Sequence, residues 1–105
     1  VRLSMNLCVT SGMMATFYEY LKVLSNWLVR RGIKRKEAQR YISSLFVALS
    51  QDSAVNSEKD LKYLVKDSQT PGGLNEQALK QLRKAGFYKK LEKSLNSIHK
   101  RLKKV

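Results

Sequence analysis

The sequence predicts an all-α fold of about five helices, and three observations carry that prediction. Ala38, Tyr41, Ile42, Leu45, Phe46 and Leu49 fall at i, i+3, i+4, i+7, i+8 and i+11, the repeat of one helix face. Leu91, Leu95, Ile98, Leu102 and Val105 repeat in steps of four and three. No segment alternates apolar and polar residues between turn signals, as a strand would.

The first helix is expected over 13–31, where Met13, Met14, Ala15, Phe17, Leu21, Val23, Leu24, Trp27 and Leu28 leave little polar relief. A helix wet on one side needs only an apolar stripe, so one this apolar is covered on most sides. In a domain of this length part of that cover is expected from another chain. Phe17, Leu21, Leu24, Trp27 and Leu28 are therefore the candidate dimer interface. Gly32 is expected to end this helix, with Arg30 and Arg31 placed at its negative end.

The second helix carries the 38–49 stripe and is expected to break at Ser50-Gln51-Asp52-Ser53. Ser57 and Asp60 form a capping-box-like start for a short third helix bearing Leu61, Leu64 and Val65. A fourth, marked by Leu74, Ala78, Leu79 and Leu82, follows Pro71-Gly72-Gly73 and stops at Gly86. The fifth carries the closing 4-3 stripe.

At 105 residues the chain is one domain with a modest core. Its single cysteine, Cys8, excludes an internal disulfide framework and is expected as a free, buried thiol in a reducing compartment. One histidine, His99, without a second His or a paired Cys, gives no metal site. The longest uncharged run, Leu3 to Tyr18, is too short and too polar for a membrane span. With no signal pattern either, the expected location is cytoplasmic. Opening on Val1 rather than Met, the chain reads as a piece of something longer.

Twenty-one Lys and Arg face eight Asp and Glu, a net charge of +13 that raises the question of an acidic partner. Residues 30–40 hold six basic groups and one acid, and residues 80–104 hold ten and one. Neither stretch interleaves aromatics for base stacking or presents a recognition helix with Asn, Gln or Arg in register. The expectation is a solvated lysine-rich face, with nucleic acid and membrane as the less favoured partners.

The Pro-Gly-Gly loop combines separate physical jobs. Pro71 fixes its own φ and pushes Thr70 into an extended conformation. Gly72 and Gly73 permit positive φ and leave no Cβ in a ligand's way. The helix opening at Leu74 has free N–H groups and a positive dipole end, which together suit one carboxylate. Thr70 or Asn75 could add a side-chain hydrogen bond. The same residues also make a tight interhelical turn with Asn75 as its cap, and the loop is no phosphate-binding fingerprint.

The stretch "TPGGLNEQALKQLRKAGFYKKLEKSL" resembles the hallmark segment of the pyrroline-5-carboxylate reductase family. There Ser-Pro-Gly-Gly-Thr-Thr opens a helix ending in a Gly-Gly-Phe step, matched here by Thr70 to Gly73 and by Ala85-Gly86-Phe87. Upstream, "VTSGMMATFYEYLKVLSNWLVRRGIKRKEA" is similar to that family's long buried helix, and the likeness runs from about Thr10 to Val105.

The resemblance implies a helical dimerisation and substrate-side domain that interlocks with a second copy to form a dimer. Its parent would carry an N-terminal Rossmann domain binding NADP or NAD, absent from this chain, with no cofactor site here. The implied substrate is a small carboxylate, a cyclic imine or a carbonyl compound, held at Thr70, Gly72, Gly73, Leu74 and Asn75. Asn75 takes the position of the family threonine that assists protonation of the ring nitrogen. Glu58 corresponds to an acidic residue beside the substrate amine.

Leu74 and Asn75 stand where the family has small or hydroxyl residues, and Met13 and Met14 where it has Gly and Pro. An amide hydrogen-bonds but does not relay a proton. A non-catalytic, reductase-like regulatory protein therefore stays open, as does a basic nucleic-acid-binding helical module.

Overall fold

The computed structural model describes residues 2–103, so Val105 of the last stripe and Lys104 of the basic stretch lie outside the described residues. The chain is all-α, in the order α1 (Arg2–Arg30), α2 (Arg35–Val55), α3 (Lys62–Asp67), α4 (Leu74–Lys84) and α5 (Phe87–Lys103). It divides into two compact units. One joins α1 as far as Met13 to α3, α4 and α5, and the other is Met14–Leu61.

Three boundaries differ from the sequence reading. Helix α1 begins at Arg2, not at 13. Thr10 turns its side chain onto this helix, Oγ1 donating to the Asn6 carbonyl at 3.0 Å. Helix α2 passes through 50–53 and ends at Val55. There Ser53 Oγ donates to the Ser50 carbonyl at 2.8 Å, and Asn56 closes the helix by donating its Nδ2 to the Asp52 carbonyl at 2.8 Å. Ser57 and Asp60 do not start a helix. Residues 56–61 are turn, with the Lys59 N–H on the Asn56 carbonyl, and α3 begins at Lys62.

Gly32 ends α1 as expected, with φ +99°. Its N–H bonds the Val29 carbonyl at 3.0 Å while the Ile33 N–H reaches back to Leu28 at 3.2 Å. This pairing is the Schellman arrangement, which needs a left-handed residue at that position. Arg31 folds back over the Trp27 ring, 3.7 Å from its centroid, and donates to the Trp27 carbonyl.

Within the Met14–Leu61 unit, Ala38 and Ile42 of α2 are buried. Ala38 is wholly covered, at 0% exposure. Tyr20 meets Phe46 edge to face, with centroids 5.4 Å apart, a geometry favoured by the ring quadrupoles. Buried Ser25 is satisfied on its own helix, donating to the Leu21 carbonyl at 2.8 Å. Arg35 Nη1 donates to Asn26 Oδ1 at 2.8 Å and ties the start of α2 to the end of α1.

In the other unit α4 packs on α5. The apolar side of α5 (Leu91, Leu95, Ile98 and Leu102) is half-buried. Ile98 lies so close to Gly12 of α1 that a Cβ on the glycine would stand 2.7 Å from Ile98 Cδ1. Cys8 is buried here as a free thiol. Buried hydrophobic residues in the described chain are Cys8, Ala38 and Ile42, while Phe17, Val23 and Trp27 of α1 remain about half exposed. That is a thin core for a helical domain of this length.

Candidate functional site

Two glycines in the loop before α4 answer two different steric demands. The Gly73 N–H donates to the Thr70 carbonyl at 2.7 Å, closing a β-turn over Thr70-Pro71-Gly72-Gly73. Pro71 supplies the fixed φ of the second turn position, and Gly72, at φ +74°, supplies the left-handed third. This is a type II turn. Gly73 has ordinary extended angles, φ −87° and ψ 178°. Its lack of a side chain answers to contact instead, because a Cβ would sit 2.9 Å from the Thr70 oxygen and 3.3 Å from Thr70 Cβ.

Gly73 is the N-cap of α4 and offers no side-chain cap. The first helical bond runs from the Gln77 N–H to the Gly73 carbonyl at 3.1 Å. The N–H groups of Leu74, Asn75 and Glu76 consequently have no acceptor within the helix and point out of its positive end. One anion is already present: Glu76 Oε1 accepts from the Gly72 N–H at 3.1 Å. This bond resembles a capping box, with the third helical residue reaching back across the cap.

Asn75 does not cap α4. It sits in the first turn, and its Nδ2 donates to the Ser68 carbonyl at 3.0 Å. Ser68 in turn follows α3, held by its own N–H on the Leu64 carbonyl and its hydroxyl on the Val65 carbonyl. The Asn75 amide thus straps the turn to the end of α3. Sequence reasoning missed Glu76, although a glutamate three positions beyond a glycine at a helix start is a signal for this contact.

The family model for pyrroline-5-carboxylate reductase dimerisation matches residues 3–105. The chain belongs to this family. No curated protein and no solved structure matches.

Within the pyrroline-5-carboxylate reductase dimerisation domain, Thr70, Gly72, Gly73, Leu74 and Asn75 come together at the turn and the first turn of α4. Leu74 is 85% exposed, an isolated apolar side chain at the mouth of the helix end. Glu58 belongs to the Met14–Leu61 unit, exposed on the turn between α2 and α3. Phe17, Leu21, Leu24 and Leu28 fall on one stripe of α1, and Trp27 flanks it. Phe17 and Trp27 are exposed, at 45% and 49%, and the three leucines are half-buried.

No described residue lies in a strand, so the described chain contains no strand–glycine loop–helix unit of the kind that holds a dinucleotide. Among the described residues no group of three or more His, Cys, Asp or Glu could hold a metal. No helix among them is long and apolar enough to cross a membrane.

Proposed function

We propose that this chain is the dimerising, substrate-side domain of a pyrroline-5-carboxylate reductase-like, NAD(P)H-dependent oxidoreductase of the reducing cytoplasm. Membership of the family supports the class. The observation that carries the site is the type II turn at Thr70–Gly73, which presents the unpaired N–H groups opening α4.

In this reading α1 builds a two-fold interface through Phe17, Leu21, Leu24, Trp27 and Leu28. The exposed aromatic face and the thin core within one copy support it. Two or three N–H groups at the helix end hold a carboxylate of the substrate, a small cyclic imine or a carbonyl compound. NADP or NAD belongs to a separate Rossmann domain of the parent protein, and Glu58 is assigned to the substrate amine. The work of this domain is binding and orientation.

The test is turnover by the full-length protein, supplied with NADPH or NADH and a series of cyclic imines and 2-keto acids. A carboxylated imine is expected to be reduced with a KM at least tenfold below that of its decarboxylated analogue. Equal KM values would remove the carboxylate role of the loop.

A second reading, a reductase-like regulator without catalysis, is favoured by Asn75. Its amide donor is engaged by the Ser68 carbonyl, and an amide has no proton to transfer at neutral pH. Failure of the full-length protein to oxidise either cofactor with any of these substrates, with dimerisation intact, would support that reading.

A further inference from the structure

The cations of α5 form a single-signed face that the packing of the helix leaves free. At about 100° per residue, Lys89, Lys90, Lys93, Lys100, Arg101 and Lys103 occupy an arc of roughly 160° opposite the apolar stripe. All six are exposed. The one acid of α5, Glu92, falls by the same rotation about 20° outside the edge of this arc, next to Lys103. Among the described residues no carboxylate lies within ion-pair distance of any of the six. Lys89 and Lys93, one turn apart, repel each other, with Glu92, three residues beyond Lys89, as the one acid near them on the helix.

We propose that this face binds duplex DNA through its phosphates, without sequence preference. The alternative acidic partners fit less well. Protein interfaces are depleted of lysine and need apolar or aromatic anchors, and between these cations on the arc stand only Asn96 and Ser97. A bilayer is entered by an amphipathic helix through its apolar stripe, but that stripe is turned inward here, with Ile98 against Gly12. A flat anionic surface would also meet only the outermost cations of so wide an arc. A groove with phosphates on both walls meets both edges.

The dimensions agree. A helix with side chains is about 10–12 Å across and the major groove of B-DNA about 12 Å wide. Seventeen residues extend for about 25 Å, along which the duplex presents a phosphate charge roughly every 1.7 Å. No Gln lies on this face, and its one Arg and one Asn are five residues apart, which leaves no pair to read base edges.

The experiment is fluorescence anisotropy of a random-sequence 20-base-pair duplex titrated with the full-length protein between about 50 and 200 mM salt. The plot of log K against log salt is expected to have a slope of about −5, from up to six phosphate contacts. The triple variant Lys89→Gln, Lys93→Gln, Lys100→Gln is expected to reduce that slope by about 3 and weaken binding at low salt at least tenfold. A control triple at the start of α2 (Lys34→Gln at its N-cap, Lys36→Gln, Arg40→Gln) is expected to leave the slope within one unit, and circular dichroism checks that both triples stay helical. Absence of binding at 50 mM salt would overturn the proposal. So would equal losses from the two triples, which would mean diffuse attraction by net charge. Binding to vesicles of equal phosphatidylserine and phosphatidylcholine that matches the duplex in strength and in sensitivity to the α5 triple would overturn it as well.

Discussion

Glu76 Oε1 accepts a hydrogen bond from the Gly72 backbone nitrogen at 3.1 Å, so the acidic group nearest the open end of α4 is one of the chain's own. The same carboxylate favours the helix dipole and disfavours a second anion beside it. Glu76→Gln is therefore expected to act in two directions. It should lower stability by about 0.5–1 kcal/mol through the lost charge at the helix start. It should also tighten binding of a small carboxylate such as proline several-fold. Calorimetric titration and thermal melts measure the two effects separately. Weaker binding in the variant would assign Glu76 to holding the ligand.

The turn makes a paired prediction about its glycines. Gly72 has open space around its Cβ position but a left-handed φ, so Gly72→Ala is expected to cost about 1–2 kcal/mol of conformational strain. Gly72→Asn should cost less, because asparagine tolerates that region. Gly73→Ala has no such conformational penalty, but it drives a methyl against the Thr70 carbonyl and opens the turn. Amide hydrogen exchange at residue 73 should accelerate in Gly73→Ala and stay slow in Gly72→Asn.

Gly12 and Ile98 should behave as a coupled pair. A methyl on Gly12 meets Ile98 Cδ1, the mobile end of a side chain, while alanine improves the helix by about 1 kcal/mol. Ile98→Val removes the obstructing atom. The double variant Gly12→Ala, Ile98→Val is expected to be more stable than the sum of the singles by about 0.5–2 kcal/mol. Additive values from urea melts would show that Ile98 simply rotates aside.

The proposed interface on α1 predicts that association and folding respond together. Leu24→Asp or Phe17→Asp should turn a dimer into a monomer by sedimentation. The wild-type midpoint of thermal unfolding should rise with protein concentration, and that dependence should vanish in the variants. Trp27→Ala should weaken the dimer less, because Trp27 lies at the edge of the stripe and Arg31 already covers one face of its ring.

Helices α2, α4 and α5 were legible because their apolar positions repeat along one face, a spacing that strands and loops do not produce. Two of the boundaries that sequence placed wrongly share a cause. Thr10, Ser53 and Asn56 belong to types that often leave helices, but each here satisfies its side chain on a carbonyl three or four residues back. Whether such a residue bonds backward into a helix or forward out of one depends on packing that the local sequence does not contain. The turn before α4 was readable as a turn, since proline followed by two glycines restricts the backbone to few shapes. What its side chains do was not readable. Asn75 bonds Ser68, seven residues earlier, and that partnership depends on where α3 ends.

So few residues of one copy are sealed from water that, with α1 paired as proposed, its persistence should depend on how many others surround it. If α1 pairs as proposed, a newly made chain, alone and half-uncovered, is open to proteases until it meets its twin. Synthesis rate and lifetime then rise together, and halving the production of this protein should remove more than half of it from the cell.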